Sequence, residues 1–411
     1  MTQFNYIDLF SGCGGLSEGF TQSGHFNGLA HVEWELPMVN TLRNRLTQKW
    51  GYSKDEALKS VIHFDIQLHQ QLINGDWSGE AVQKFVQSNH KQSAESGLKG
   101  LTAGKQVDLI IGGPPCQAYS MAGRKRLEGR SDYRNYLFES FIKVVEAYQP
   151  KLFVFENVPG ILSAKPDGEP VLHRIYDAFS ACGYEILKPE EIKNANYVAS
   201  ELNTPQKRNR IIIIGLRKDL NWNLKDVYAE IDKRKQAHGP TLRDAIGHLP
   251  KLHPLEYPTT TKPKASHTAH NKKNISQHIA RFHNASDIKI FHDWVDRRLN
   301  DVPVKEQLDY YNKLKGVNSK YPKYRSLEWD QPSPTIVAHL HKDGLLFIHP
   351  DKDQARSITI REAACLQSFP QDYQFIGSNS HCFKMIGNAV PPNMAEQIAH
   401  GIFNFLKGSE A

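Results

Sequence analysis

From Phe4 to about Gly215, short runs rich in Val, Ile and Phe alternate with longer amphipathic stretches, and this rhythm is the signature of βαβ units. The strand-like runs are Phe4 to Phe10, Gly28 to Glu33, Val61 to Phe64, Val107 to Ile111, Leu152 to Glu156, Tyr184 to Leu187 and Arg210 to Leu216. Helical patterns lie between them, among them Pro37 to Lys49, Tyr136 to Ala147 and Val171 to Cys182. The fold class expected is therefore α/β, a doubly wound, Rossmann-like sheet. One stretch breaks the rhythm. His69 to Lys105 is polar and rich in Gln and Ser, and it reads as an insertion (about 67–105) with a single helical piece near Glu80 to Gln87 and no evident chemistry. After about Asp219 the alternation fades into a Pro-, His- and Lys-rich region, His253 to Lys273, so a smaller, irregular second domain is expected there. Regular structure returns at Ile360 to Gln367, and Asn393 to Leu406 carries apolar residues at helical spacing.

Bulk properties exclude several classes. The chain begins almost directly on a strand-like run, without the basic and apolar regions of a signal peptide, and no apolar stretch approaches the roughly 18 residues that span a bilayer. Its five cysteines, Cys13, Cys116, Cys182, Cys365 and Cys382, show no C-x-x-C spacing, so reduced thiols and no structural metal are expected. The formal charge of +7 is concentrated: Lys262 to Arg325 holds 14 Lys and Arg against 6 Asp and Glu. Together with His267, His270, His278, His283 and His292, and with Phe282, Phe291, Trp294, Tyr310, Tyr311, Tyr321 and Tyr324 interleaved, this segment reads as a footprint for nucleic acid.

The residues that carry chemistry fall at strand ends, where open α/β sheets bind their ligands. The first strand runs into Asp8-Leu9-Phe10-Ser11-Gly12-Cys13-Gly14-Gly15, a glycine-rich turn that a ligand can approach closely at a helix amino terminus. Position 17 is Ser17, not the third glycine of the dinucleotide fingerprint, which disfavours NAD and FAD. Glu33 ends the second strand where an acid meets ribose hydroxyls, Trp34 beside it can stack on a base, and Asp65-Ile66 ends the third. After Val107 to Ile111 comes Gly112-Gly113-Pro114-Pro115-Cys116-Gln117, in which two prolines fix the backbone just before a thiol. Glu156 and Asn157 end the next strand. Arg208 and Arg210 alternate along an extended segment, so both guanidiniums fall on one face.

These motifs, with Gln206 to Arg210, Pro332 to Ile336, Arg356 to Glu362 and Gly387-Asn388-Ala389-Val390 in the same order, resemble those of the DNA (cytosine-5)-methyltransferases of bacterial restriction-modification systems. The resemblance implies S-adenosylmethionine as methyl donor, S-adenosylhomocysteine as product, double-stranded DNA as substrate, and a cognate restriction endonuclease as functional partner. It also implies a cytoplasmic, bacterial or phage-encoded protein, expected as a monomer. Cys116 becomes the nucleophile for cytosine C6, Glu156 the group that holds N3 and the exocyclic amine, Arg210 the cation that meets the O2 carbonyl, and Arg208 the one that positions its neighbours. Phe10, Gly12 and Gly14 border the cofactor, Glu33 holds its ribose, and Trp34 and Ile66 sandwich its adenine. Asp65 accepts from the adenine amine, Pro114 lies near the methyl, and Asn388, Ala389 and Val390 close over the methionine part. The stretch Gln117 to Arg134, with Ser120, Arg124, Lys125 and Arg126, becomes a basic loop that meets the DNA. The domains implied are residues 1–218 for catalysis, 219–360 for target recognition, and 361–411 as a hinge and a helix returning to the catalytic domain. A transfer RNA methyltransferase on the same scaffold would carry a Cys-Phe-Thr element; this chain has only Cys382-Phe383-Lys384.

Overall fold

The computed structural model describes residues 3–115, 137–262, 264–268 and 275–410. Cys116, Gln117, Ser120, Arg124, Lys125, Arg126 and His270 lie outside the described residues. The chain divides into two compact units, residues 1–203 with 208–238 and 389–411, and residues 204–207 with 239–388.

The strands in chain order are β1 (Phe4–Leu9), β2 (Phe26–Glu33), β3 (Val61–His63), β4 (Leu109–Gly112), β5 (Leu152–Asn157), β6 (Tyr184–Glu185), β7 (Asn196–Val198), β8 (Gln206–Lys207) and β9 (Asn209–Arg217). The first unit is built on a sheet ordered β3-β2-β1-β4-β5-β9-β6, with β7 also on β9. Strands β3 to β5 run parallel, whereas β9 is antiparallel to β5, β6 and β7. The strand order reverses between β1 and β4, which makes the carboxyl ends of these strands the natural crevice of the sheet. Neighbouring residues face opposite sides of a strand, and the core divides accordingly. Ile7, Phe153 and Phe155 join Phe141 and Phe179 on one face; Tyr6, Val154, Ile212 and Ile214 join Met394, Ile398 and Ile402 on the other. The carboxyl-terminal helix Pro392–Ser409 lies against the helix Gly15–Gln22, and a Cβ on Gly19 would stand 2.3 Å from the Pro392 carbonyl, so glycine sets how closely the two backbones approach.

Two expectations are corrected in this unit. Residues 69–105 hold three helices, His69–Asn74, Glu80–Val86 and Lys91–Leu101, rather than a single helical piece, and Leu72, Ile73, Val82, Phe85 and Leu98 on them, with Trp77 between the first two, are buried in the same core as the sheet. The first unit also runs past residue 218, to His238. The helix Leu224–Asp232 buries Leu224, Val227 and Ile231, and the Tyr228 hydroxyl accepts from the Ile214 amide and donates to the Ile212 carbonyl.

The second unit holds the hairpin β10 (Pro254–Thr259) and β11 (Ala265–His267), and β12 (Ser333–Pro334) parallel to β8. Gln206 is fully buried here. Its amide donates to the Leu366 carbonyl and Gln367 Oε1, and its carbonyl accepts from the Ile336 amide, which explains why Gln206 and the Pro332 to Ile336 stretch belong together. Residues 361–388 stay in this unit rather than with the carboxyl-terminal helix. Arg356 is buried and spans both oxygens of Glu362 at 2.7 Å, while Glu362 closes a capping box with Thr359.

The aromatic and histidine residues of the basic segment behave differently from the expected surface. Phe291, Trp294 and Tyr324 form the core of the second unit with Ile290 and Ile348, and His267, His278 and His283 are buried. Several of the cations are also paired, Lys315 with Asp287 at 2.6 Å and Lys289 with Asp293 at 3.2 Å. Tyr321 and Phe282 remain exposed. Among the described residues no helix is long and apolar enough to cross a membrane, and no cluster of three or more His, Cys, Asp or Glu is placed to hold a metal.

Candidate active site

The glycine turn after β1 is held in an unusual backbone conformation. Phe10, Gly12 and Gly14 have φ of 58°, 56° and 90°, a region that favours glycine and that a phenylalanine occupies at a cost. Such alternation turns amides inward, and the Gly12 amide donates to Glu33 Oε2 at 2.8 Å, while the Glu35 amide donates to Glu33 Oε1 at 2.8 Å. The Glu33 carboxyl thereby locks the ends of β1 and β2 together. Burial pushes its pKa up, against the backbone amides that favour the charged form. Space is left open at the turn: a Cβ on Gly12 would meet only Met38 Sδ, at 4.0 Å. Trp34 is 49% exposed, Ile66 is buried, and Asp65 Oδ1 accepts from the Gln67 amide at 3.0 Å. Ala389 and Val390 pack on the turn, since a Cβ on Gly15 would stand 2.3 Å from the Val390 carbonyl. Asn388 is exposed and belongs to the second unit.

Ser17, which stands where a dinucleotide fingerprint has its third glycine, has a different task. Its hydroxyl bonds Asp8 Oδ2 and lies 2.9 Å from His31 Nδ1, all three side chains being buried. Burial pushes the Asp8 carboxyl up to about 8 and the His31 ring down to about 4, so an uncharged trio supports the turn from below at neutral pH. Reading along the chain misses this trio. Its trace is a polar side chain between apolar neighbours, Asp8 between Ile7 and Leu9 and His31 between Ala30 and Val32.

At the end of β5, Glu156 Oε1 lies 2.5 Å from Arg210 Nε. Arg208 and Arg210 are 1% and 8% exposed, and the two guanidiniums and the Glu156 carboxylate sense one another electrostatically. Burial lowers both arginine pKa values, most for Arg208, where the Arg210 charge adds to it. The end of β4 approaches the same carboxylate. A Cβ on Gly113 would sit 2.5 Å from Glu156 Oε2, so the absence of a side chain is a steric requirement, and buried Pro114 follows. Glu156, Arg208, Arg210 and the backbone leading to residue 116 thus converge at strands β4, β5 and β9, which follow β1 and its glycine turn in the order of the sheet.

The profile of the C-5 cytosine-specific DNA methylases matches residues 4–76 and 77–404. The chain is similar to the type II methyltransferase M.Bpa9945I of Bacillus paralicheniformis, with 33% identity over 98% of this chain and 99% of that protein. It is 32% identical to the type II methyltransferase M1.HphI of Haemophilus parahaemolyticus, over 97% of this chain and 86% of that protein. A crystal structure of a candidate DNA modification methyltransferase encoded within an E. coli prophage superposes with a TM-score of 0.59 at 25% identity, covering 98% of this chain and 100% of that one. The chain belongs to the C-5 cytosine-specific DNA methylase family and is a DNA (cytosine-5) methyltransferase of the restriction-modification type.

Proposed function

We propose that the protein methylates C5 of one cytosine in a defined duplex DNA sequence, drawing the methyl from S-adenosylmethionine and passing through a bond between Cys116 Sγ and cytosine C6. The observation that carries this reading is the ion pair of Glu156 with buried Arg210, beside the backbone that leads to Cys116. Cytosine C5 is a poor nucleophile, and addition of a thiolate at C6 breaks the C5–C6 double bond and makes C5 electron-rich. Glu156, steered by Arg210, holds N3 and the exocyclic amine and supplies a proton at N3 as negative charge gathers there. Arg208 and Arg210 add positive potential at O2, and the same potential favours the Cys116 thiolate over the thiol. Once C5 carries the methyl, a base removes the C5 proton, the double bond re-forms as Cys116 departs as thiolate, and the N3 proton returns to Glu156. These atoms are inaccessible in a stacked duplex, so the cytosine is turned out of the helix. Gln117, Ser120, Arg124, Lys125 and Arg126 meet the DNA around it, and the second unit reads the target sequence.

The residues at the ends of β1 to β3 fit S-adenosylmethionine. Gly12 leaves room for close approach, Glu33 is fixed to receive hydroxyls, and half-exposed Trp34 offers a stacking surface. Phe10, Gly12, Gly14 and Pro114 border the cofactor, Glu33 holds the ribose, Trp34 and Ile66 enclose the adenine, and Asp65 accepts from its amine. Asn388, Ala389 and Val390 cover the methionine part. When bound, the cofactor supplies an electrophilic methyl on a sulfonium and leaves as S-adenosylhomocysteine. In the cell the modification would protect host DNA from a cognate endonuclease.

Bisulfite sequencing of plasmid DNA incubated with the protein tests this reading. Cofactor-dependent protection of cytosines in one recurring sequence is expected; an unmodified plasmid would refute it. The same assay probes the Glu156 geometry. Gly113→Ala pushes a methyl into Glu156 Oε2, and kcat is expected to fall about 100-fold, the scale of an ångström-sized misplacement, with cofactor affinity retained.

A further inference from the structure

The stretch that carries no motif, residues 69–105, reaches the edge of the cofactor site through one histidine. His63, the last residue of β3, lies between Trp34 and the turn after the helix Glu80–Val86. Its Nε2 is 2.9 Å from the Trp34 carbonyl, which can only accept, so Nε2 carries the proton. Its Nδ1 is 2.7 Å from Ser88 Oγ. Asn89 then completes the open edge of β3 as a neighbouring strand would, its Oδ1 accepting from the His63 amide and its Nδ2 donating to the His63 carbonyl, both at 2.8 Å. Arg43 fastens the turn from the other side, donating to the Val61 and Ser88 carbonyls and to Asn89 Oδ1. The Trp34 ring is braced by the same helix: Phe85 meets it edge-on at 5.9 Å, and Lys84 Nζ stands 5.0 Å over it.

Trp34 is a large side chain, half exposed, on the loop between β2 and the helix Leu36–Lys49, and left alone it would lose conformational freedom on binding a ligand, at an entropic cost. Fixing its backbone beforehand removes that cost. We propose that His63, held by Ser88 and Asn89, is a positioning residue that sets Trp34 for stacking on the adenine of the cofactor, so that residues 84–89 tune cofactor affinity without touching the cofactor. This rests on the S-adenosylmethionine reading above. An interaction of this kind contributes to binding before any chemistry, so it appears in cofactor Kd and KM and not in kcat.

The test is calorimetric titration of S-adenosylmethionine into the full chain without DNA, paired with steady-state kinetics and a thermal melt for each variant. His63→Leu, which loses both ring bonds, is expected to weaken cofactor binding about tenfold. His63→Gln, which keeps a donor for the Trp34 carbonyl, should recover to within about threefold of the wild type, and Ser88→Ala should weaken binding by about threefold. At saturating cofactor, kcat and the KM for DNA should stay near wild-type values. A wild-type Kd in His63→Leu, a loss of kcat at unchanged Kd, or a glutamine variant as weak as the leucine one would overturn the proposal. Should His63→Leu fail to fold, Ser88→Ala decides, since an unchanged Kd there removes the link from residue 88 to Trp34. Failure of the wild type itself to bind S-adenosylmethionine would refute the cofactor reading instead.

Discussion

Cys116→Ala is expected to abolish methyl transfer, lowering turnover by about four orders of magnitude or more, as loss of a covalent nucleophile does when the remaining groups cannot substitute for it. The expectation follows from what converges at the backbone that leads to residue 116. Glu156 and Arg210 are paired at 2.5 Å, Arg208 is buried beside them, and Gly113 brings the backbone against the carboxylate. None of these side chains can add to C6. Cofactor binding should survive, because the side chains proposed above to hold the cofactor are untouched by the substitution. Filter binding of labelled S-adenosylmethionine and bisulfite readout on the same preparation separate the two. Methylation by the alanine variant would contradict the assignment of Cys116.

Mild acid should unfold the second unit. His283 Nε2 accepts from the Ser357 amide and His349 Nδ1 accepts from the Asp351 amide, so each ring needs a lone pair that a proton would remove. Burial, with Arg356 and other cations nearby, depresses both rings to about 3. The sign is fixed by linkage. Below the unfolded histidine value near 6.5 the unfolded chain binds protons that the folded one refuses, so stability is fully present above about pH 6.5 and is lost as pH falls toward 3. At pH 5 each ring costs about 2 kcal/mol, about 4 kcal/mol for the pair. Thermal melts from pH 7.5 to 5 measure this. His283→Asn keeps an acceptor for the Ser357 amide and cannot titrate, so the stability that it loses between pH 7.5 and 5 should be smaller by about 2 kcal/mol. An unchanged dependence would show that the ring is not the proton acceptor.

What the chain discloses and what it conceals follow from how far each signal reaches. The strand-end residues Glu33, Asp65 and Glu156 were legible because each closes an apolar run, and the glycines at 12 and 14 because backbone conformation selects that residue type locally. The direction of β9 was not legible, since Ile211 to Ile214 is an apolar run whichever way it pairs. The helices between residues 69 and 105 are short and mostly polar, and their buried face appears only once Trp77, Phe85 and Leu98 are seen in the common core. Charge and aromatic counts misled in the basic segment for the opposite reason. They register that His267, His283, Phe291 and Trp294 occur there, but burial is decided by packing partners as distant as Ile348 and Ser357. The His63 contact with residues 88 and 89 joins positions 25 and 26 apart and leaves no local pattern.

The central claim is a bond from Cys116 to cytosine C6, and a duplex carrying 5-fluorocytosine at the target position tests it most directly. Fluorine on C5 cannot leave as a proton does, so elimination of the thiol is blocked after methyl transfer. The account predicts a complex of protein and duplex that survives denaturing electrophoresis, forms only with S-adenosylmethionine present, and maps by peptide mass to Cys116. Methylation of the ordinary duplex with no such complex on the fluorinated one, or a linkage at any other residue, would contradict it.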